Sequence, residues 1–241
     1  MKAIQPAERL IFPLDVSSVD EARHFVEVLD GVVSFFKIGI ELQMVTGLEF
    51  VHELIDKGKK VFLDYKYFDV PETVKRAVGR VADIGVSFLT VHGGGQTIRA
   101  AVEGRGKSEL KILSVTVLTS LDAHDIREMG YECSIEELVL YRTKIAMEAG
   151  CDGVITSGLE ARAIRKLAQD RLIIVTPGIR PQEMIGTDDQ KRAVTPTEAM
   201  QAGADYLVVG RPIRRSHNPR RAAEEVIAEI EQALKTSSDK T

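Results

Sequence analysis

Short apolar runs rich in β-branched and aromatic residues recur along the chain at regular intervals. They cover Leu10–Val16, Val33–Ile38, Lys60–Lys66, Phe88–His92, Lys111–Thr119, Gly153–Ser157, Leu172–Gly178 and Tyr206–Arg211, and each predicts a strand. Helical patterns follow most of them. Val19–Leu29 carries Ala22, Phe25, Val26 and Leu29 at helical spacing. Ile135–Ala149, with Leu138, Val139, Ile145 and Ala146, behaves likewise and stops before Gly150, and Ala222–Leu234 predicts a closing amphipathic helix. Strand and helix alternating in this way predict a (β/α)8 TIM barrel, a single α/β domain over residues 1–241. A doubly wound open sheet is the alternative, but the glycine fingerprint expected after its first strand is missing. The polar end, Lys235–Thr241, is expected to fray.

The third run breaks the apolar pattern. In Val61-Phe-Leu-Asp-Tyr-Lys-Tyr-Phe-Asp-Val-Pro-Glu-Thr73, Asp64 and Lys66 stand at the strand end and Asp69 follows. Residues two apart on a strand share a face, so Asp64 and Lys66 point together while Val61, Leu63 and Tyr65 point oppositely. A strand covered on both faces normally reads as continuously apolar, and ionised groups there are costly without compensation. Such a pair suits a functional site, although an ordinary strand-end ion pair gives the same pattern. Asp69 has a second reading: Asp69-Val-Pro-Glu72 matches a capping box with proline in the first turn. Polar residues end the other runs as well: Asp15, Lys37, His92, Thr119, Ser157, Arg180 and Arg211. In a barrel these ends share the face on which active sites are built.

Composition narrows the class. The chain has 241 residues, 44% of them hydrophobic, enough for a large core. A formal charge of -4 argues against a nucleic-acid or anionic-membrane surface. No apolar run reaches membrane-spanning length, and the first residues lack a signal-peptide core, so a cytoplasmic protein is expected. Cys133 and Cys151 show no metal-ligand spacing, nor does any pair among His24, His52, His92, His124 and His217.

Two segments suit an anion. Thr176-Pro-Gly-Ile-Arg-Pro181 follows the seventh strand and Val209-Gly-Arg-Pro212 the eighth, where barrels commonly hold phosphate. Gly210 permits close backbone approach and Arg211 offers a planar donor fork. Between them Pro181–Arg192, with Gly186, Asp188, Asp189 and Gln190, reads either as a surface loop or as a lid over a ligand.

The chain resembles the orotidine 5′-phosphate decarboxylases over nearly its whole length. The motifs are Phe12-Pro-Leu-Asp-Val16, Phe36-Lys-Ile-Gly39, Asp64-x-Lys66-x-x-Asp69-x-Pro71-x-Thr73, Val117-Leu-Thr-Ser120, Thr176-Pro-Gly-Ile-Arg180 and Val208-Val-Gly-Arg-Pro212. The family's usual His-Ala-x-Gly-Gly appears here as His92-Gly-Gly-Gly-Gln96, one small residue for another.

The resemblance implies conversion of orotidine 5′-monophosphate to uridine 5′-monophosphate and carbon dioxide, with no metal and no organic cofactor. It implies a homodimer with shared active sites. Lys66 would protonate C6, and Lys37, Asp64 and Asp69 would complete an alternating charged array, Asp69 and Thr73 entering the partner's site. Asp15 and Lys37 would hold the ribose hydroxyls, Thr119 and Ser120 would lie by the pyrimidine, and Arg180, Gln190, Gly210 and Arg211 at or near the phosphate. A related sugar-phosphate branch, resembling 3-keto-L-gulonate 6-phosphate decarboxylase, uses magnesium and carries a glutamate at the end of its second strand. Lys37 at that position would repel the cation. A catalytically silent phosphate-binding barrel would be expected to lack part of the charged array, which is complete here.

Overall fold

A computed structural model describes residues 4–184 and 192–238. Eight parallel strands close into a barrel in sequence order, with β8 pairing β1. They are β1 (Leu10–Pro13), β2 (Phe35–Gly39), β3 (Lys60–Tyr67), β4 (Phe88–Val91), β5 (Lys111–Val115), β6 (Gly153–Ile155), β7 (Ile173–Thr176) and β8 (Tyr206–Val208). The helices of the first half are α1 (Val19–Val28), α2 (Ile40–Thr46), α3 (Glu49–Asp56), α4 (Pro71–Ile84) and α5 (Gly95–Arg105). Those of the second half are α6 (Ala123–Glu128), α7 (Ile135–Glu148), α8 (Gly158–Ala168), α9 (Pro196–Gln201), α10 (Arg211–Arg214) and α11 (Pro219–Ser238). All eight expected strands form. Most end earlier than their apolar runs, because the last residues of each run turn away to build the rim.

Strand alternation sorts the side chains into two cores. Ile11, Phe35, Phe62, Phe88, Leu113, Val175 and Val208 point inward and fill the barrel. Phe88 meets Phe35 edge-on at 5.0 Å and Tyr206 at 5.1 Å, so the lower interior is closed by aromatic packing. The intervening residues, among them Leu10, Phe12, Phe36, Ile38, Val61, Leu63 and Leu89, face the helices and join the larger core. One step of two residues beyond the inner apolar layer therefore brings Pro13, Lys37, Asp64, Thr90 and Gly210 to the upper interior. The cluster of charges thus sits directly on a packed aromatic floor.

Helix starts follow side-chain chemistry. Ser18 caps α1, and reciprocal capping boxes open α7 (Ser134 with Glu137) and α9 (Thr195 with Glu198). Asp69 does not cap α4: the N-cap is Val70, which provides no side-chain bond, and Pro71 occupies the first turn as expected. The Asp69 carboxylate instead accepts from the Val70 N–H at 2.6 Å. At the other end, α11 continues to Ser238, so most of the expected frayed tail is helical. Residues 239–241 lie outside the described residues.

Candidate active site

The third strand does not keep its regular pleat through the charged segment. Its register with β4 shifts between Leu63 and Tyr67, and Lys66 adopts φ 50°. A non-glycine residue there is uncommon and costs about 1–2 kcal/mol, so it persists only where neighbours hold it. The holding group is Thr90, fully buried on β4, whose hydroxyl accepts the Lys66 N–H at 3.0 Å and donates to Asp64 Oδ1 at 2.9 Å. Backbone distortion and side-chain charge are thereby locked by one hydroxyl.

From this point the charges alternate in a chain. Lys66 Nζ lies 2.8 Å from Asp64 Oδ1. Lys37 Nζ lies 3.4 Å from Asp64 Oδ2 and 3.0 Å from Asp15 Oδ1. Two ammonium groups and two carboxylates cancel, and that neutrality permits the burial of the central pair, Lys37 and Asp64. Burial would raise the Asp64 carboxyl, but Lys37, Lys66 and Thr90 hold it below the usual carboxylate range. Burial likewise works against the Lys37 ammonium, yet Asp64 and Asp15 keep its pKa above that of an ordinary lysine. The members differ in exposure: the Lys37 side chain is 9% exposed and that of Lys66 37%. Lys37 is a buried counter-ion, whereas Lys66 can reach a ligand.

A cavity of about 280 Å³ opens above the chain of charges. Asp15, Lys37, Asp64 and Lys66 line one part of it; Thr119 and Ser120 from the loop after β5, and Arg180, Gly210 and Arg211 from the loops after β7 and β8, line the rest. Arg180 is buried, its Nη1 donating to the Ile179 carbonyl at 2.8 Å. Gly210 is required by close approach, since a Cβ there would fall 2.7 Å from Pro13 Cγ. The lining thus offers an accessible ammonium, Lys66, in one part and two arginines in another, each suited to an anionic group.

Other expected residues lie elsewhere. Asp69 is exposed beyond β3 and is absent from the charged chain formed by Asp15, Lys37, Asp64 and Lys66. Thr73 is exposed on α4 and lines a wider hollow of about 770 Å³ on the outside of the barrel, between α4 and α5. Although larger, that hollow has none of the strand-end residues and offers no converging chemistry. Ser157 turns from the cavity to cap α8, its Oγ accepting from the Leu159 N–H at 3.2 Å. His92 is half-buried beside Phe68, and burial, Arg142 and Lys66 all lower its pKa. Gln190, with Gly186, Asp188 and Asp189, lies outside the described residues. Thr90 was missed by sequence reasoning; the available signal was a polar residue in phase with Phe88 and His92 on an otherwise apolar strand.

Among the described residues no group of three or more His, Cys, Asp or Glu could hold a metal ion, and no helix is long and apolar enough to cross a membrane. The family model described as "Orotidine 5'-phosphate decarboxylase / HUMPS family" matches residues 8–226. A curated protein of Nitrobacter winogradskyi named orotidine 5′-phosphate decarboxylase is 54% identical over 228 residues, covering 95% of each chain. Another of the same name from Methylococcus capsulatus is 50% identical over 230 residues, covering 95% of this chain and 94% of its own. The crystal structure of orotidine 5′-phosphate decarboxylase from Lactobacillus acidophilus superposes with a TM-score of 0.82 at 34% identity, covering 92% of this chain and 99% of that one. With its barrel, its charged cavity and these relatives in agreement, the chain belongs to the orotidine 5′-phosphate decarboxylase / HUMPS family.

Proposed function

We propose that this protein is a lyase that decarboxylates orotidine 5′-monophosphate to uridine 5′-monophosphate, closing uridylate synthesis in the cytoplasm without metal or organic cofactor. The observation that carries the reading is the unbroken sequence of charges Asp15–Lys37–Asp64–Lys66, ending in an accessible ammonium at the cavity. Loss of carbon dioxide from C6 breaks the ring–carboxyl bond and leaves its electron pair in an sp² orbital that the ring cannot readily delocalise. An ammonium fixed beside C6 attracts that charge and then transfers a proton to it, leaving a neutral lysine to be reprotonated from solvent. Lys66 suits both duties because its charge is compact and its proton transferable. Asp64 holds Lys66 in place and, close to the substrate carboxylate, would repel it until carbon dioxide departs.

Asp15 and Lys37 would hold the ribose hydroxyls, Thr119 and Ser120 would face the pyrimidine, and Arg180, Gly210 and Arg211, with Gln190, would receive the phosphate. An ammonium already bridges Asp15 and Asp64, which counts against a divalent cation between these carboxylates. Asp69 and Thr73 are assigned to the site of a second subunit. Support comes from their exposure and from an uncovered apolar surface after the adjacent strands β2 and β3. There Met44 is 84% exposed and Phe68 70%, with Ile40, Val45 and Val70 also open. A homodimer would cover those side chains and bring Asp69 to the partner's Lys66.

The test is the ultraviolet absorbance of orotidine 5′-monophosphate incubated with purified protein and excess chelator. Rapid loss with uridine 5′-monophosphate as product is expected, and Lys66→Ala should abolish it. Folded wild-type protein that fails to turn the nucleotide over would overturn the assignment.

A further inference from the structure

Behind the cavity wall lies an enclosed ion pair. Arg192 Nη1 meets Glu160 Oε1 at 2.7 Å, and both side chains are less than a tenth exposed. Arg192 Nη2 donates to the carbonyls of Val117 at 3.2 Å and Leu118 at 3.1 Å, immediately before Thr119 and Ser120. The Arg192 carbonyl accepts from Ser157 Oγ at 2.9 Å. Two residues on, Val194 bonds the opposite wall: its carbonyl accepts from the Arg180 N–H at 2.9 Å. Val194 also packs over Gly158, where a Cβ would fall 2.2 Å from Val194 Cγ2.

Stability does not account for the pair. Enclosed ion pairs commonly contribute no more than apolar residues of similar volume. Here, among the described residues, Glu160 Oε2 and Arg192 Nε have no hydrogen-bond partner, and burial raises the Glu160 carboxyl against the pull of Arg192. What the arrangement does supply is direction. A planar fork clamped at one nitrogen by Glu160 holds two consecutive wall carbonyls with the other. We propose that Arg192 is a positioning residue: its fork, oriented by Glu160, sets the Val117–Ser120 wall against which the pyrimidine of the nucleotide rests. The role rests on the decarboxylase reading of the cavity. It concerns the base end: although Arg192 itself follows β7, as Arg180 does, its side chain bonds the loop after β5.

Arg192→Lys tests it, since lysine keeps a cation beside Glu160 but loses the fork. The KM for orotidine 5′-monophosphate and the inhibition constant of uridine 5′-monophosphate should each rise about tenfold or more, as the wall loses the two charged hydrogen bonds that hold the Val117 and Leu118 carbonyls. The inhibition constant of inorganic phosphate should change by less than about twofold, as expected for a separate site. Nucleotide and phosphate constants rising together would indicate general loosening and overturn the role, as would no change in either. Glu160→Leu combined with Arg192→Met should show the same split with a melting temperature near wild type; if that protein does not fold, Arg192→Lys decides alone. Wild-type turnover is measured first: its absence overturns the proposed function, whereas turnover without the split overturns only the positioning role.

Discussion

Thr90→Val removes a single hydroxyl while keeping the shape of the side chain, and its consequences can be worked out from two bonds. Asp64 loses a donor at 2.9 Å and the Lys66 N–H loses its acceptor at 3.0 Å. A hydrogen bond to an ionised group contributes about 1.5–3 kcal/mol, and a buried amide without a partner costs a further fraction of that order. The strained φ of 50° at Lys66 relaxes once it is no longer held, which returns part of the loss. The net destabilisation is about 2–3 kcal/mol, or roughly 4–12 °C in Tm for a chain of this length. Relaxation also moves the ammonium, and a displacement of about 1 Å at a reacting centre can lower the rate on the order of a hundredfold. Steady-state decarboxylation and thermal unfolding, measured on Thr90→Val and Thr90→Ser, separate the effects. Serine keeps the hydroxyl, so it should retain most of kcat while losing a little stability through the missing methyl. Acid unfolding adds a check of sign. Asp64 titrates below its ordinary 3.8, so its stabilising contribution is present above that pH and fades as pH falls through the lowered value. Thr90→Val should narrow the gap between the two values, Lys37 and Lys66 still lowering the folded one, and raise the pH of acid unfolding. Wild-type rate and stability in Thr90→Val, or a serine variant as slow as the valine one, would refute the account.

Lys37→Met leaves Asp15 and Asp64 facing each other without their shared cation and should cost about 3–5 kcal/mol, seen as a lower Tm at neutral pH. In the wild type the Lys37 contribution is complete below pH 10.5 and disappears as pH climbs through its raised pKa, so alkaline melts should show a loss that Lys37→Met lacks. Thiol titration of native protein should modify Cys133, which is exposed, and spare Cys151, which is buried against the Ile112 carbonyl and whose pKa is pushed up to about 12. Asp69→Ala and Lys66→Ala proteins, each inactive alone, should regain part of the activity when mixed and allowed to exchange subunits; no recovery after proven exchange would assign Asp69 to its own subunit.

The barrel was legible because its determinants are local. Each strand is an apolar run, several helix starts carry their own caps, among them Ser18, Ser134 and Thr195, and the alternation needs no long-range information. The strand-end rule also brought Asp15, Lys37, Asp64, Lys66, Thr119, Arg180 and Arg211 to one cavity. Where it failed, the cause was either a local competitor or a contact between distant elements. Ser157 satisfied the rule but was taken by the nearest helix, and Asp69 fitted a capping box but lost the cap to Val70 because α4 begins at proline.

Thr90 and Arg192 were hidden for a deeper reason. Threonine is an ordinary strand former, and its phase with Phe88 and His92 marks it only as inward-facing, not as the group that holds Lys66, 24 residues away. Arg192 and Glu160 are 32 residues apart and meet only after β6, α8 and β7 have been laid down. A spacing rule covers a helix turn or a strand pleat, so it finds the groups that touch the ligand from a strand end. It does not reach the groups that hold those first ones still. Asp64 and Lys66 show the boundary within a single strand. Period-two alternation rightly puts them on one face, yet their 2.8 Å contact exists in a bulged segment with a left-handed residue that no alternation rule contains. The face was a property of the strand, whereas the geometry was imposed by its neighbour β4.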